Sequence, residues 1–213
     1  MAFPLKIPRL LAISDPGVRP GAAWQRWCRD LETAGVDGLE VRSKVSTDRE
    51  LLALASEARA QTSVACALLV NERFDIALAT DAAGVHLPAS APGAASIRTA
   101  AGRLAARALL VGRSTHTVDE VRRAHDEGAD YVLFGPVFET PSKAGRIAPR
   151  GLVGLAAAVA CGMPVLALGG IDASTASRAL DAGAWGLAAI RWFEDPITHQ
   201  QEYAVLRTRW EEA

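Results

Sequence analysis

The sequence predicts an α/β fold, a single (β/α)8 TIM barrel forming one domain over residues 1–213, and three observations predict it. Short β-rich apolar runs alternate with Ala-rich helical segments along the chain, the pattern a parallel sheet requires. Gly35, Gly84, Gly128 and Gly183 each close a helical segment just ahead of a strand, in AGVDGLE, AAGVHL, EGADYVLF and AGAWGLAA. These glycines lie roughly 45 to 55 residues apart, about two βα units each, as repeated barrel construction would give. Eight units in 213 residues make a compact barrel, and the Gly-rich fingerprint of an open dinucleotide-binding sheet is absent.

In order, Leu10 to Ser14 reads as a strand, Asp15-Pro16-Gly17 as a turn, and Gly21 to Ala34 as an amphipathic helix. Val36 to Val41 is the second strand. The helix from Thr47 to Ala60 follows, with Leu51, Leu52, Leu54 and Ala55 at helical spacing. Ser63 to Val70 is the third strand, Asn71 to Thr80 a helix with Phe74, Ala77 and Leu78 on one face, and Gly84 to Leu87 the fourth strand. A helix from Ala94 to Ala106, a strand from Ala108 to Val111 and a helix from Val118 to Glu127 lead to Tyr131–Phe134, an apolar run stopped by Gly135-Pro136. The helix Gly151 to Ala160, the strand Pro164 to Leu168, the helix Ala173 to Ala182, the strand Trp185 to Ala189 and a helix toward Trp210 complete the pattern.

Half of the residues are hydrophobic and 22% are charged, the balance of a soluble globular chain. A formal net charge of -1 provides no general field for nucleic acid or anionic membrane, so any anion selectivity is local. Cys28, Cys66 and Cys161 are scattered, with no spacing for a disulfide scaffold or a zinc site. The start MAFPLKIPRLLAIS is too short and Pro-interrupted in its apolar run for a signal peptide, and a cytoplasmic location is expected. Trp24, Trp27, Trp192 and Trp210 suit helix faces packing on the barrel or on a second copy of the chain, which allows a homodimer.

A barrel collects function at the C-terminal ends of its strands. Those ends carry Glu40, Arg42 and Lys44, then Asn71 and Glu72, His86, Ser114 and His116, the loop Glu139–Lys143, Gly169-Gly170, and Ile190-Arg191. The loop crowds Glu139, Thr140, Ser142 and Lys143 into five positions, which fits an anion site and also an ordinary polar connection. Gly169-Gly170 leads into the helix begun by IDAS, either as a tight turn or as amides that approach a phosphate at a helix N-terminus.

Together these residues resemble the thiamine phosphate synthase and thiazole tautomerase family of (β/α)8 barrels, from LLAISDP to GLAAI and in the same order. The synthase Gln-x-Arg-x-Lys is similar to Glu40-Val41-Arg42-Ser43-Lys44, GPVFxT-x-T/S-K to Gly135–Lys143, Ser-x-His to Ser114-Thr115-His116, and AIGGI to Ala167–Ile171. The resemblance implies a phosphorylated thiazole as the small-molecule ligand. Its binding residues would be Arg42, Lys44, Asn71, Ser114, Thr140, Ser142, Lys143, Gly169, Gly170, Ile190 and Arg191.

The resemblance also implies a choice between two reactions. The synthase joins a pyrimidine-methyl diphosphate to a thiazole phosphate by expelling diphosphate, with Mg²⁺ held by acidic residues. Of those acids, Asn71-Glu72 retains one, whereas Pro88-Ala89-Ser90-Ala91 has none. The tautomerase moves a proton and needs no metal, and GRSTHTVDEV, FETxxK and Leu87–Ser90 are similar to its sequences. The expectation is therefore a tautomerase-like isomerase without cofactor or metal. Its proton-transfer group would be His116, Glu139 or Glu40, since the loop His of that branch is replaced by Pro136. The alternatives are a synthase, with Glu72 on Mg²⁺, and a non-catalytic phosphate-ligand binder.

Overall fold

A computed structural model describes residues 5–14, 19, 21–104, 108–140 and 148–212. Eight parallel strands close into a barrel in sequence order: β1 (Leu10–Ile13), β2 (Gly38–Val41), β3 (Ala67–Asn71), β4 (Gly84–Leu87), β5 (Leu110–Thr115), β6 (Tyr131–Phe134), β7 (Val165–Leu168) and β8 (Gly186–Ala189), with β8 pairing back on β1. Between and after them run α1 (Ala22–Thr33), α2 (Asp48–Gln61), α3 (Phe74–Ala79), α4 (Ala94–Arg103), α5 (Val118–Asp126), α6 (Gly151–Val159), α7 (Ala176–Asp181) and α8 (Gln200–Glu211). A 3-10 turn, Arg191–Phe193, follows β8.

β1, β6 and β8 are buried along their whole length, so their sequences read as unbroken apolar runs. Outward residues such as Leu10, Leu39, Leu68, Val132 and Leu187 meet the helices, while Leu11, Ile13, Leu69, Leu110, Tyr131, Leu133, Leu166 and Ala188 fill the barrel interior. α1 buries Trp24, Trp27, Cys28 and Leu31, the i, i+3, i+4, i+7 stripe of a helix lying on a sheet. Each fully buried Leu or Val contributes about 1.5–3 kcal/mol. Capping boxes Thr47–Glu50 and Thr117–Glu120 start α2 and α5. Cys28 and Cys66 are buried free thiols pushed up to about 12 by burial, which keeps them unreactive core residues.

Several expected boundaries shift, and the shifts matter at the mouth. The expected fifth strand, Ala108 to Val111, instead runs from Leu110 to Thr115, so Ser114 sits in the strand and not after it. Asn71 ends β3, and α3 begins at Phe74 because Glu72 takes a left-handed φ of 62° that breaks helical geometry. The third strand begins at Ala67, since Ala65 and Cys66 belong to a turn. The expected helix at Ala173 begins at Ala176. The turn 15–17, Ser142, Lys143 and the last residues of the expected helix to Ala106 lie outside the described residues.

Candidate active site at the barrel mouth

A cavity of about 1070 Å³ opens at the C-terminal ends of the strands. It brings together Glu40, Arg42, Lys44, Asn71, Ser114, His116, Glu139, Thr140, Gly169, Gly170, Ile190 and Arg191. Of the described residues singled out at the strand ends, only Glu72 is not part of its lining, and Glu72 is exposed. Such a volume lies at the upper end for small-molecule pockets and leaves room for two ring-bearing ligands.

The floor is polar and desolvated. Glu40 is 1% exposed, and its Oε2 has no hydrogen-bond partner among the described residues. Burial pushes its carboxyl up to about 8, with the Arg42 guanidinium opposing the shift. His86, a strand-end residue in the sequence, is 2% exposed inside β4 and lines the cavity. Burial, aided by the nearby Arg42 charge, lowers it to about 3, so the ring is neutral. It bonds Tyr131 Oη at 3.2 Å and Ser114 Oγ at 2.9 Å.

The rim carries the charges and amides. Arg42 is half-buried, whereas Lys44, Glu139 and Arg191 are exposed. His116 donates from Nδ1 to the Gly135 carbonyl and its backbone amide bonds Glu120, which ties it to the start of α5 and the β6 loop. Gly169 and Gly170 have φ of 94° and 66°. A Cβ on Gly169 would lie 2.6 Å from Pro136 Cβ, and one on Gly170 would lie 2.5 Å from the Glu139 carbonyl oxygen, so both loops pack only on glycine.

The anion-binding idea changes in one respect. The amides of Ser174 and Thr175 ahead of α7 donate to Asp172 Oδ1 at 2.9 and 3.2 Å, which closes that helix start to a ligand. The amides of Gly170 and Ile171 bond no acceptor among the described residues and remain for an anion. His199, which reads in the sequence as a surface helix residue, lines the cavity because α8 begins beside the 3-10 turn, and its Nδ1 lies 3.0 Å from Glu202. Neither its spacing nor its neighbours in the sequence signal this.

The family pattern for thiamine monophosphate synthase matches residues 10–193. The chain belongs to the thiamine monophosphate synthase family. It is 38% identical over 186 residues to a thiamine-phosphate synthase of Chlorobium luteolum, covering 86% of this chain and 84% of that one. It is 37% identical over 183 residues to a thiamine-phosphate synthase of Methanocella arvoryzae, covering 85% and 84%. The fold superposes on a thiamine phosphate pyrophosphorylase from Pyrococcus furiosus with a TM-score of 0.79 and 27% identity, over 93% and 94% of the two chains.

This corrects the expected reaction. The similarity along nearly the whole chain is to proteins named as synthases, and it favours the synthase alternative over the tautomerase reading. In the synthase family the residue after the loop glycine is a Pro, and here Pro136 lines the cavity with no proton to exchange.

The metal ligands implied by the family do not fit. Glu72 is exposed and outside the cavity lining, Pro88–Ala91 contains no acid, and no group of three or more His, Cys, Asp or Glu side chains converges among the described residues. A cation already occupies the β4 loop. Arg113, 9% exposed and ion-paired with Glu127, donates to the carbonyls of Ala89 and Ala91 at 3.0 and 2.9 Å. A divalent ion would meet a fixed guanidinium where the family places a carboxylate.

Proposed function

We propose that the chain is a thiamine phosphate synthase, joining a pyrimidine-methyl diphosphate to a thiazole phosphate with release of diphosphate. The observation that carries the reading is a cavity large enough for both partners, on a chain matched along residues 10–193 by the synthase family. The bond that breaks joins the pyrimidine methyl carbon to diphosphate oxygen, and the bond that forms joins that carbon to the thiazole nitrogen. The departing oxygen gains charge, and cations at the mouth are suited to hold it. Arg42, Lys44 and Arg191 supply three, from the segment after β2 and the turn after β8. The amides of Gly170 and Ile171, without an acceptor among the described residues, donate to the thiazole phosphate. Closing ligand rings over the floor places a donor against the orphaned Glu40 Oε2 and excludes water from the reacting carbon.

No step is assigned to a side-chain-held metal, because the donor set is wrong for one. Purified protein incubated with both substrates, in Mg²⁺ or in EDTA, tests this. Thiamine phosphate is expected in both, with EDTA lowering the rate less than about tenfold. Product in neither condition would overturn the synthase assignment. Product in Mg²⁺ alone would keep that assignment and overturn the metal-free part.

A further inference from the structure

Three buried or half-buried groups on adjacent strands form a chain the reaction scheme leaves unused. Gly112 on β5 lies in register with both His86 on β4 and Tyr131 on β6. A Cβ on Gly112 would stand 2.1 Å from Tyr131 Cζ and 2.3 Å from Oη, so the bare glycine lets the phenol lean across β5 toward β4. There Tyr131 Oη meets His86 Nδ1 at 3.2 Å, and His86 Nε2 meets Ser114 Oγ at 2.9 Å. Tyr131 and His86 are 0% and 2% exposed, while Ser114 is half-buried and lines the cavity.

The protons in this chain run one way. Burial and the nearby Arg42 hold His86 neutral, so its ring carries a single proton. Burial, Glu40 and Asp130 keep the Tyr131 phenol protonated, and the only hydrogen-bond partner of its hydroxyl among the described residues is Nδ1. A proton on Nδ1 would leave the phenol hydrogen buried without an acceptor, which folded proteins avoid. Nδ1 therefore accepts, Nε2–H donates to Ser114 Oγ, and the Ser114 hydroxyl hydrogen is turned away from the imidazole.

We infer that Tyr131 and His86 are positioning residues that lock Ser114 as a hydrogen-bond donor facing the cavity, matched to an oxygen of a phosphate or diphosphate. A hydroxyl left to rotate would serve a ligand donor or acceptor equally. One that accepts from Nε2–H has one of its two lone pairs filled and its hydrogen turned toward the cavity, which favours an acceptor there. The ligand class rests on the synthase reading, whereas the direction of the proton chain does not.

The test has two independent arms. In ¹⁵N-histidine-labelled protein, with His86→Asn identifying the signal, the His86 ring should show a bare Nδ1 and a protonated Nε2, without titration down to about pH 5. A proton on Nδ1, or a ring that charges near neutrality, overturns the relay. In calorimetric titration with inorganic diphosphate, Ser114→Ala should weaken binding about tenfold and Tyr131→Phe severalfold. Tyr131→Phe added to Ser114→Ala should bring no further loss. A loss that persists in the Ser114→Ala background overturns the positioning role. Wild-type protein that fails to bind diphosphate counts against the synthase reading, and the ring spectrum then still decides the relay.

Discussion

The two ends of the barrel use polar groups in opposite ways. At the N-terminal end, Asp37 accepts the amides of Arg9 and Leu10 at 2.8–3.1 Å, and Arg9 donates to the Trp185 carbonyl while its guanidinium lies 3.6 Å over the Trp185 ring and 5.7 Å from Trp210. Among the described residues, the buried side-chain polar atoms there other than Trp185 Nε1 are satisfied by the protein itself. At the C-terminal end a carboxyl oxygen and two loop amides have no partner among the described residues, around a neutral His and three cations. One end supplies stability, and the other holds unsatisfied groups for a ligand, at a cost to the empty fold.

The largest effect that would sharpen this contrast is at Glu40. Its pKa is raised from 4.5 to about 8, so the folded protein binds this proton more tightly than the unfolded chain. The sign follows: the acid is harmless below about pH 4.5, and stability is lost progressively as pH rises through about 8. The Arg42 charge opposes the shift and Tyr131, which feels the Glu40 charge, stays protonated across that range. Urea unfolding of wild type and Glu40→Gln should therefore diverge by on the order of 3 to 5 kcal/mol between pH 4.5 and pH 9, with the Gln variant more stable at high pH. Parallel pH profiles would show that the mouth does not strain the fold.

Asp37 should behave in the reverse manner. Asp37→Ala strips a charged acceptor from two strand amides, and the loss expected is about 2–3 kcal/mol, read as a lower urea midpoint at unchanged slope. Turnover of the protein that remains folded should match wild type. A large fall in turnover at constant stability would break the division between the ends.

The same division governs how much was legible in the sequence. Most strands and helices were legible because the fully buried strands read as solid apolar runs, and the alternation fixed the barrel. β5 was cut short at Val111 because its next inward positions are Gly112 and Ser114, whose polarity serves the lumen and breaks the apolar run. Strand-end order brought nearly every candidate side chain to one mouth. The choice of reaction was not legible, since the loop motifs of two related chemistries overlap, and Leu87–Ser90 resembles one while Pro136 resembles the other. The Tyr131–His86–Ser114 chain spans three strands, and no local spacing encodes it. The role of Arg113 against the β4 loop is equally tertiary.

The smallest expected effects come from two glycines of similar backbone geometry at opposite ends. Gly162, after α6, has φ of 83° and nothing within 4 Å of an added Cβ, whereas Gly170 at the mouth has φ of 66° with the Glu139 carbonyl oxygen at 2.5 Å and Phe138 Cβ at 2.7 Å. Gly162→Ala should cost only the left-handed backbone penalty, about 1 kcal/mol, with phosphate binding unchanged. Gly170→Ala adds a steric push that drives the β6 loop off the β7 loop and swings the Gly170 and Ile171 amides out of line. Affinity for thiazole phosphate should then fall about tenfold, or about 1.4 kcal/mol, beyond any change in stability. Calorimetric titration of both variants decides the matter: equal affinities would mean that the amides after β7 do not hold the phosphate, and the anion site would have to be sought at Arg42 and Lys44 across the cavity.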